Sequence, residues 1–259
     1  MKLFDSHCHL NDEKYNEDRK ELIENLRKQG VKRLVTAGYS IESSKEAIKL
    51  SKEYDFIYAT IGISPNDVPK TLEDLDKDLN NIKDLYKEGE KIVAVGEIGL
   101  DYYWNTENKE IQKEAFKRQI ELANNLNLPI QIHTRKAIAD TLEILKDNKV
   151  NRKGIFHCCP FNRELVKEGL KLGFYISFAG PTTFKNSKNA VEIIKMVPDD
   201  KMLVETDSPY LSPEPFRGKR NDPSRVQYII KKIAEVKEKS FEEIEKMVYE
   251  NANTIFNLK

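Results

Sequence analysis

The sequence has few of the features that would place it in several common protein classes. Its three cysteines among 259 residues form no C-x-x-C pair, which argues against a disulfide framework and against a structural zinc knuckle. No apolar stretch approaches the length needed to span a bilayer, and no basic-then-apolar leader follows Met1. The sequence therefore predicts a cytoplasmic protein with no membrane partner, and we expect a monomer.

The chain also lacks an excess of charge of either sign. It contains 43 basic and 43 acidic residues, so no overall electrostatic field draws it to nucleic acid or to a membrane surface. Any binding of a polyanion must then come from a local site. A chain of this length can bury a large core as one domain.

Short apolar runs alternate with amphipathic segments rich in Lys and Glu along the whole chain. The runs predict strands at residues 2–5, 33–38, 57–63, 92–97, 129–133, 154–157, 175–178 and 202–207. The other segments predict helices at residues 19–29, 42–54, 72–86, 109–127, 137–147, 163–172, 188–196, 223–237 and 241–251. This alternation predicts a single α/β domain over residues 1–259 with the (β/α)8 TIM-barrel fold. An open doubly wound sheet is the alternative, but no Gly-rich phosphate loop follows the first strand.

All four histidines of the chain lie at the ends of short apolar runs. His7 and His9 point to the same face of a strand, because side chains alternate along it, so both can bind one cation. A barrel places its functional site at the carboxyl ends of its strands. The groups predicted to meet there are His7, His9, Glu97, His133, His157 and Asp207.

Three more polar residues have the same parity as these groups, one layer deeper in the barrel. Asp5 shares the face of the first two histidines, Gln131 that of the third histidine, and Glu205 that of Asp207. Buried polar groups are costly without partners. We therefore expect these three side chains to be hydrogen-bonded and to orient the imidazoles.

Six short segments carry a specific pattern in order along the chain. They are DSHCHL at 5–10, GEIGLDY at 96–102, HTR at 133–135, HC at 157–158, ETDSPYL at 205–211 and PFRGKRN at 215–221. Together with ENAN at 250–253, they resemble the TatD family of metal-dependent deoxyribonucleases, which are TIM barrels of the amidohydrolase type. The resemblance extends over essentially the whole chain.

The resemblance implies two divalent metal ions that share one carboxylate. The implied ligands are His7, His9, Glu97 and Asp207 for one cation and Glu97, His133 and His157 for the other. Such a pair can stabilise both the attacking and the leaving oxygen of a phosphodiester displacement. The implied catalytic residues are Glu97 and Asp207, with Asp207 as the general base. The family implies activity with Mg, whereas imidazole ligands suit Zn, Mn, Co or Ni in the purified protein.

Basic and aromatic side chains flank the predicted site. Guanidinium groups can pair with phosphate, and aromatic rings can stack on a splayed terminal base. The predicted substrate contacts are Arg135, Tyr102, Tyr103, Trp104, Arg217 and Arg220. We therefore predict a two-metal hydrolase that cleaves phosphodiester bonds of DNA as an exonuclease on single-stranded ends, with RNA as a possible further substrate.

Some positions depart from the family pattern and leave the substrate open. Ser64 stands where many relatives carry His, Asn11 stands where Asp often occurs, and residues 159–161 (CPF) replace a more usual Ser-Gly stretch. There are alternatives to substrate contact: the aromatic side chains would only pack against the protein, and the basic loop after the eighth strand would be a solvated surface.

Other functions also remain open. A related barrel could hydrolyse a small-molecule lactone or amide, although many such enzymes carry a carbamylated lysine where this chain has Glu97. A histidinol-phosphatase type of site needs more than four histidines. A non-catalytic metal-binding barrel would have a closed coordination shell.

Overall fold

The barrel predicted from the sequence is present in the computed structural model, which describes residues 1–104 and 106–259. Its strands are β1 Leu3–Cys8, β2 Val31–Thr36, β3 Ile57–Ile61, β4 Ile92–Asp101, β5 Ile130–Arg135, β6 Gly154–Phe156, β7 Tyr175–Phe178 and β8 Met202–Val204. Its helices are α1 Arg19–Lys28, α2 Ile41–Glu53, α3 Leu72–Glu88, α4 Lys109–Leu126, α5 Ile138–Asp147, α6 Arg163–Lys171, α7 Lys188–Met196, α8 Val226–Lys237 and α9 Phe241–Ile255.

The strands lie side by side in chain order, and each strand pairs in parallel with the next. Backbone hydrogen bonds join the ends of the last and first strands. The amide of Asp207 donates to the carbonyl of His7 at 3.0 Å, and the amide of His9 donates to the carbonyl of Ser208 at 2.7 Å. The chain thus forms a single-domain TIM barrel, which confirms the predicted fold class.

The local sequence explains why these elements form. Strands that are buried on both faces need continuous apolar runs, and Ile132 and Phe156 are fully buried between the barrel and its helices. The helices begin at side chains that satisfy their free amides. Ser40 caps α2 and Ser240 caps α9, each with a reciprocal capping box.

The carboxyl-terminal helix covers the amino-terminal end of the barrel. Ile255 of α9 and Phe256, which follows it, are buried in a cluster with Phe4, and the two phenylalanine rings stack with their centroids 6.0 Å apart. Because this end is filled with apolar side chains, the polar residues of the strands collect at the opposite, carboxyl end. None of the helices in the described ranges is both long and apolar enough to cross a bilayer.

Three strands extend further than their apolar runs predict. β1 continues through Cys8, β4 through Asp101 and β5 through Arg135, so His7, Glu97 and His133 lie within strands rather than at strand ends. The polar residues in these extensions are largely buried and have partners inside the barrel. Each strand therefore continues beyond the end of its apolar run, which is where hydropathy predicts that it ends.

Candidate metal centre

Glu97 lies between two pairs of imidazoles and turns one carboxylate oxygen to each pair. Its Oε2 is 3.6 Å from His7 Nε2 and 3.7 Å from His9 Nε2. Its Oε1 is 2.7 Å from His133 Nδ1 and 3.2 Å from His157 Nε2. One side chain therefore connects the two groups of histidines.

Asp207 completes the group around the first pair of imidazoles. Its Oδ1 lies 3.2 Å from His9 Nε2 and 3.6 Å from His7 Nε2. The backbone bonds between β1 and the segment after β8 hold it there. The structure thus brings all six predicted ligand residues together. Two sets of three have donor atoms within 4.8 Å of one another: His7, His9 and Asp207, and His7, Glu97 and His157.

The outer nitrogens of two imidazoles are fixed by oxygen acceptors. His7 Nδ1–H donates to Gln131 Oε1 at 3.0 Å, and His133 Nε2–H donates to Asp101 Oδ2 at 2.9 Å. In the neutral form of each ring, which is the form that binds a metal ion, the opposite nitrogen is then unprotonated and faces Glu97. A histidine that binds a metal usually has this arrangement.

The three deeper polar residues are buried, and two of them lie against imidazoles as predicted. Gln131 bonds to His7, a histidine of another strand. Glu205 Oε1 accepts from the amide of Cys158 at 2.7 Å and lies 3.4 Å from Nδ1 of His157, which follows another strand. Side chains of one layer in a barrel meet across the interior from alternate strands, so parity within one strand does not predict these contacts.

Asp5, in contrast, does not orient an imidazole. Its Oδ1 accepts from the amide of Thr206 at 2.9 Å and from the amide of His7 at 3.3 Å. The carboxylate thus fixes the backbone between β8 and β1 and does not contact an imidazole ring in these bonds. Asp5 therefore fixes the backbone segments that carry His7 and Asp207.

The electrostatics of the cluster keep both carboxylates ionised. Burial alone would raise the pKa of Glu97, but His157 and His133 more than compensate and hold that pKa well below its usual range. Burial likewise opposes ionisation of Asp207, and the hydrogen bond from His9 lowers its pKa. Burial, with repulsion from His157, lowers the pKa of His7 to about 4. Ionised carboxylates and a neutral imidazole are the forms that bind metal ions.

The residues present fit divalent cations. Buried carboxylates are costly unless a positive charge lies beside them, and in residues 1–104 and 106–259 no Lys or Arg forms an ion pair with Glu97 or Asp207. The donors are imidazole nitrogens and carboxylate oxygens, which suit first-row transition metals and, at the carboxylates, Mg.

Asp101 is a site residue that the sequence analysis did not single out. It is completely buried. Its Oδ2 accepts from His133, and its Oδ1 accepts from the amides of Tyr103 at 2.8 Å and Trp104 at 3.3 Å. These bonds, with that from His133 first among them, outweigh burial and lower its pKa. The available signal was its spacing: Asp101 is four residues after Glu97 in a strand, so the two have the same parity.

A cleft of about 510 Å³ opens above the cluster. Glu97, Asp207 and three of the histidines form its floor, and Arg135 stands at its wall. The rest of its lining is largely apolar and includes Pro160, Phe161, Pro181 and Leu211. The volume is within the range of about 300–1,000 Å³ that is typical of small-ligand sites.

The predicted aromatic contacts lie outside this cleft and differ from one another. Tyr102 is partly buried against the core, and its hydroxyl donates to Asp140 at 2.7 Å, so it packs rather than presenting a free face. Tyr103 and Trp104 are 45% and 68% exposed. The guanidinium carbon of Arg135 lies 3.8 Å from the ring centroid of Tyr103.

The two predicted arginines after β8 are also placed differently from each other. Arg220 forms an ion pair with Asp18 and donates to the carbonyl of Lys14, so its guanidinium is already occupied. Arg217 stacks on the ring of Phe184, 4.3 Å from its centroid. Neither arginine lines the cleft above the cluster, and their predicted contact with phosphate stays a prediction.

Comparison with known proteins identifies the family of this chain. The family described as TatD related DNase matches residues 4–257. The chain belongs to the TatD family of metal-dependent hydrolases. The metal-dependent hydrolase YabD of Bacillus subtilis is 47% identical over 257 residues, which cover 99% of each chain. The metal-dependent hydrolase YcfH of Escherichia coli K12 is 38% identical and covers 100% of this chain and 97% of its own.

A solved structure supports the same relationship. The TatD homologue YjjV of Escherichia coli superposes with a TM-score of 0.92 at 25% identity, over 99% of this chain and 98% of that one. The non-catalytic barrel is set aside by this family membership.

Proposed function

We propose that this hydrolase cleaves phosphodiester bonds of DNA with two divalent cations, as an exonuclease on single-stranded ends. The observation that carries the proposal is the position of Glu97, whose two oxygens face separate pairs of imidazoles. A carboxylate with this geometry can bridge two ions. The proposed ligands are His7, His9, Glu97 and Asp207 for one ion and Glu97, His133 and His157 for the other.

The protein's own side chains would hold and orient the water and the phosphate that react. Bound divalent cations would lower the pKa of a water molecule and neutralise charge on the phosphodiester. Asp207 is the proposed general base because it is ionised and lies at the floor of the cleft. Arg135 stands at the cleft wall and can pair with a phosphate through two parallel hydrogen bonds.

The shape of the cleft supports attack at a strand end. Its floor holds the reacting groups, and its apolar walls at Phe161 and Leu211 offer a surface for one base. A stacked duplex would have to release its terminal nucleotide to reach the floor. We therefore propose that single-stranded DNA is the preferred substrate and that RNA with a similar end is cleaved as well.

The experiment is hydrolysis of an end-labelled single-stranded oligonucleotide by protein loaded with Mg, Mn or Zn. We expect stepwise release of mononucleotides that stops when EDTA is added, and slower release from a blunt duplex. The Asp207→Ala variant is the inactive control. Turnover of a lactone or amide without any release of nucleotides would favour the small-molecule alternative and overturn the proposal.

A further inference from the structure

The residues beside the cleft on the β4–β5 side form a continuous surface of rings and cations. We call Tyr103, Trp104, Arg135 and Lys136 the aromatic–basic strip. Arg135 lies 3.8 Å from the centroid of Tyr103 and 5.4 Å from that of Trp104, and Lys136 Nζ lies 4.9 Å from that of Tyr103. The two rings meet edge to face with their centroids 4.8 Å apart.

The cations of the strip are not neutralised by the protein. Across the two described ranges of the chain, no carboxylate forms an ion pair with Arg135 or Lys136, in contrast to Arg220, which is paired with Asp18. Stacking on Tyr103 leaves the N–H edge of a guanidinium available for an anion. The strip therefore offers positive charge in a protein whose net charge is zero.

The rings of the strip are exposed although they are large. Trp104 is 68% exposed, the highest value among the large hydrophobic side chains described. An indole in water contributes little to folding, because its apolar surface is not buried. Its backbone is nevertheless fixed, since the amides of Tyr103 and Trp104 both donate to the buried carboxylate of Asp101.

The strip and the cleft are continuous through Arg135, which belongs to both. A strand whose terminal nucleotide occupies the cleft must leave it past one of the walls. On the β4–β5 side it would meet cations and exposed rings side by side, which match the phosphates and bases of a single strand. Phe161 and Leu211, which also line the cleft, carry no charge.

We propose that the aromatic–basic strip binds the nucleotides that follow the terminal one, so that the protein holds a single-stranded polynucleotide and not just its last residue. This role rests on the proposed function, because it takes the cleft as the place of the terminal nucleotide. Bases stack on Trp104 without regard to sequence, and Arg135 and Lys136 pair with the intervening phosphates.

Binding without hydrolysis tests this role, because it needs no active metal centre. The metal-stripped protein in EDTA is titrated with dodecathymidylate, with the dinucleotide of thymidine and with a duplex of the longer strand. Trp104 is the single tryptophan of the chain, so its fluorescence reports contact directly. Anisotropy of a labelled strand gives the affinity of variants that lack the indole.

We expect dodecathymidylate to quench Trp104 and Trp104→Ala to weaken its binding about tenfold. Trp104→Phe should keep most of the affinity, and Lys136→Ala should lose part of it. Lys52→Ala is the charge-matched control, since Lys52 is exposed at the last turn of α2, which points to the opposite end of the barrel. The dinucleotide and the duplex should bind weakly and equally to wild type and Trp104→Ala.

Absence of quenching by dodecathymidylate, or equal affinity in wild type and Trp104→Ala, would overturn the role of the strip. Either result leaves the proposed function intact if the loaded enzyme still releases nucleotides. If the loaded wild-type protein releases no nucleotides but still binds the single strand along the strip, the proposed function is refuted instead.

Discussion

Replacing Asp101 by Asn tests how the orientation of His133 depends on a single buried carboxylate. Asp101 accepts three hydrogen bonds, two from the amides of Tyr103 and Trp104 at Oδ1 and one from His133 Nε2 at Oδ2. An ionised carboxylate can do this because it only accepts. An asparagine has one accepting oxygen and one donating NH2 group.

The backbone amides decide how the introduced asparagine would sit. They are fixed donors, so the oxygen of the new side-chain amide would face them and its NH2 group would face His133. His133 Nε2 must then become an acceptor, which moves the ring proton to Nδ1. Nδ1 is the atom that lies 2.7 Å from Glu97, and a protonated nitrogen cannot bind a metal ion.

We expect the Asp101→Asn protein to lose about a hundredfold in affinity at one metal site, or about 2.7 kcal/mol. This is the upper end of the usual range for the partner of a metal-binding histidine, because Asp101 is completely buried and water cannot replace it. Titration calorimetry of the metal-free protein with Mn should show one unchanged site and one weakened site.

Asp140→Asn is the matched control for this variant. Asp140 accepts from the hydroxyl of Tyr102 and pairs with Lys113 in the same region, but no hydrogen bond or ion pair links it to a histidine in the described part of the chain. It should bind both ions as wild type does. Two unchanged sites in Asp101→Asn, or an equal loss in Asp140→Asn, would refute the tautomer mechanism.

Three further outcomes are expected. Glu97→Gln should reduce EDTA-sensitive hydrolysis at least about a hundredfold, because an amide cannot bridge two ions; near-normal rates with unchanged circular dichroism would contradict this. A metal ion at a hundred times its Kd should stabilise the fold by about 2.7 kcal/mol and raise Tm by about 5–10 °C in calorimetry; a Tm unaffected by EDTA would mean that the folded protein binds no ion. Gly99→Ala should lower the free energy of unfolding in urea by at least about 2 kcal/mol. Gly99 has φ +137°, and a Cβ there would lie 2.0 Å from the carbonyl oxygen of His133. An unfolding midpoint equal to that of wild type would show that β4 and β5 can separate at this point.

The sequence predicts the barrel, and the meeting of the six side chains at one end of it, for a physical reason. Helical and strand periodicities depend on neighbouring residues alone, and a barrel brings the carboxyl ends of all its strands to one place. His133 and Asp207 could therefore be expected to meet although 74 positions separate them in the numbering. That prediction needed only the order of the elements and the fold class.

The sequence predicts contacts of loops and inner layers poorly. Tyr102 and Trp104 are two residues apart, yet one packs against the core and the other is mostly exposed. Arg220 looked available for phosphate, but Asp18, far away in the chain, already pairs with it. These outcomes depend on which side chains become neighbours in three dimensions, and no local pattern carries that information.

The charge of the centre explains how a protein with no net charge could bind a polyanion at one place. Without metal ions, the ionised Glu97 and Asp207 at the cleft floor are paired with the imidazoles beside them, which leaves little free positive charge for a phosphodiester. Two divalent cations bound there would add positive charge to the floor and attract the phosphodiester. The aromatic–basic strip keeps its positive charge in either state. Metal removal should therefore abolish binding of a mononucleotide at the cleft, while a longer single strand still binds along the strip, which separates the two contributions in one titration.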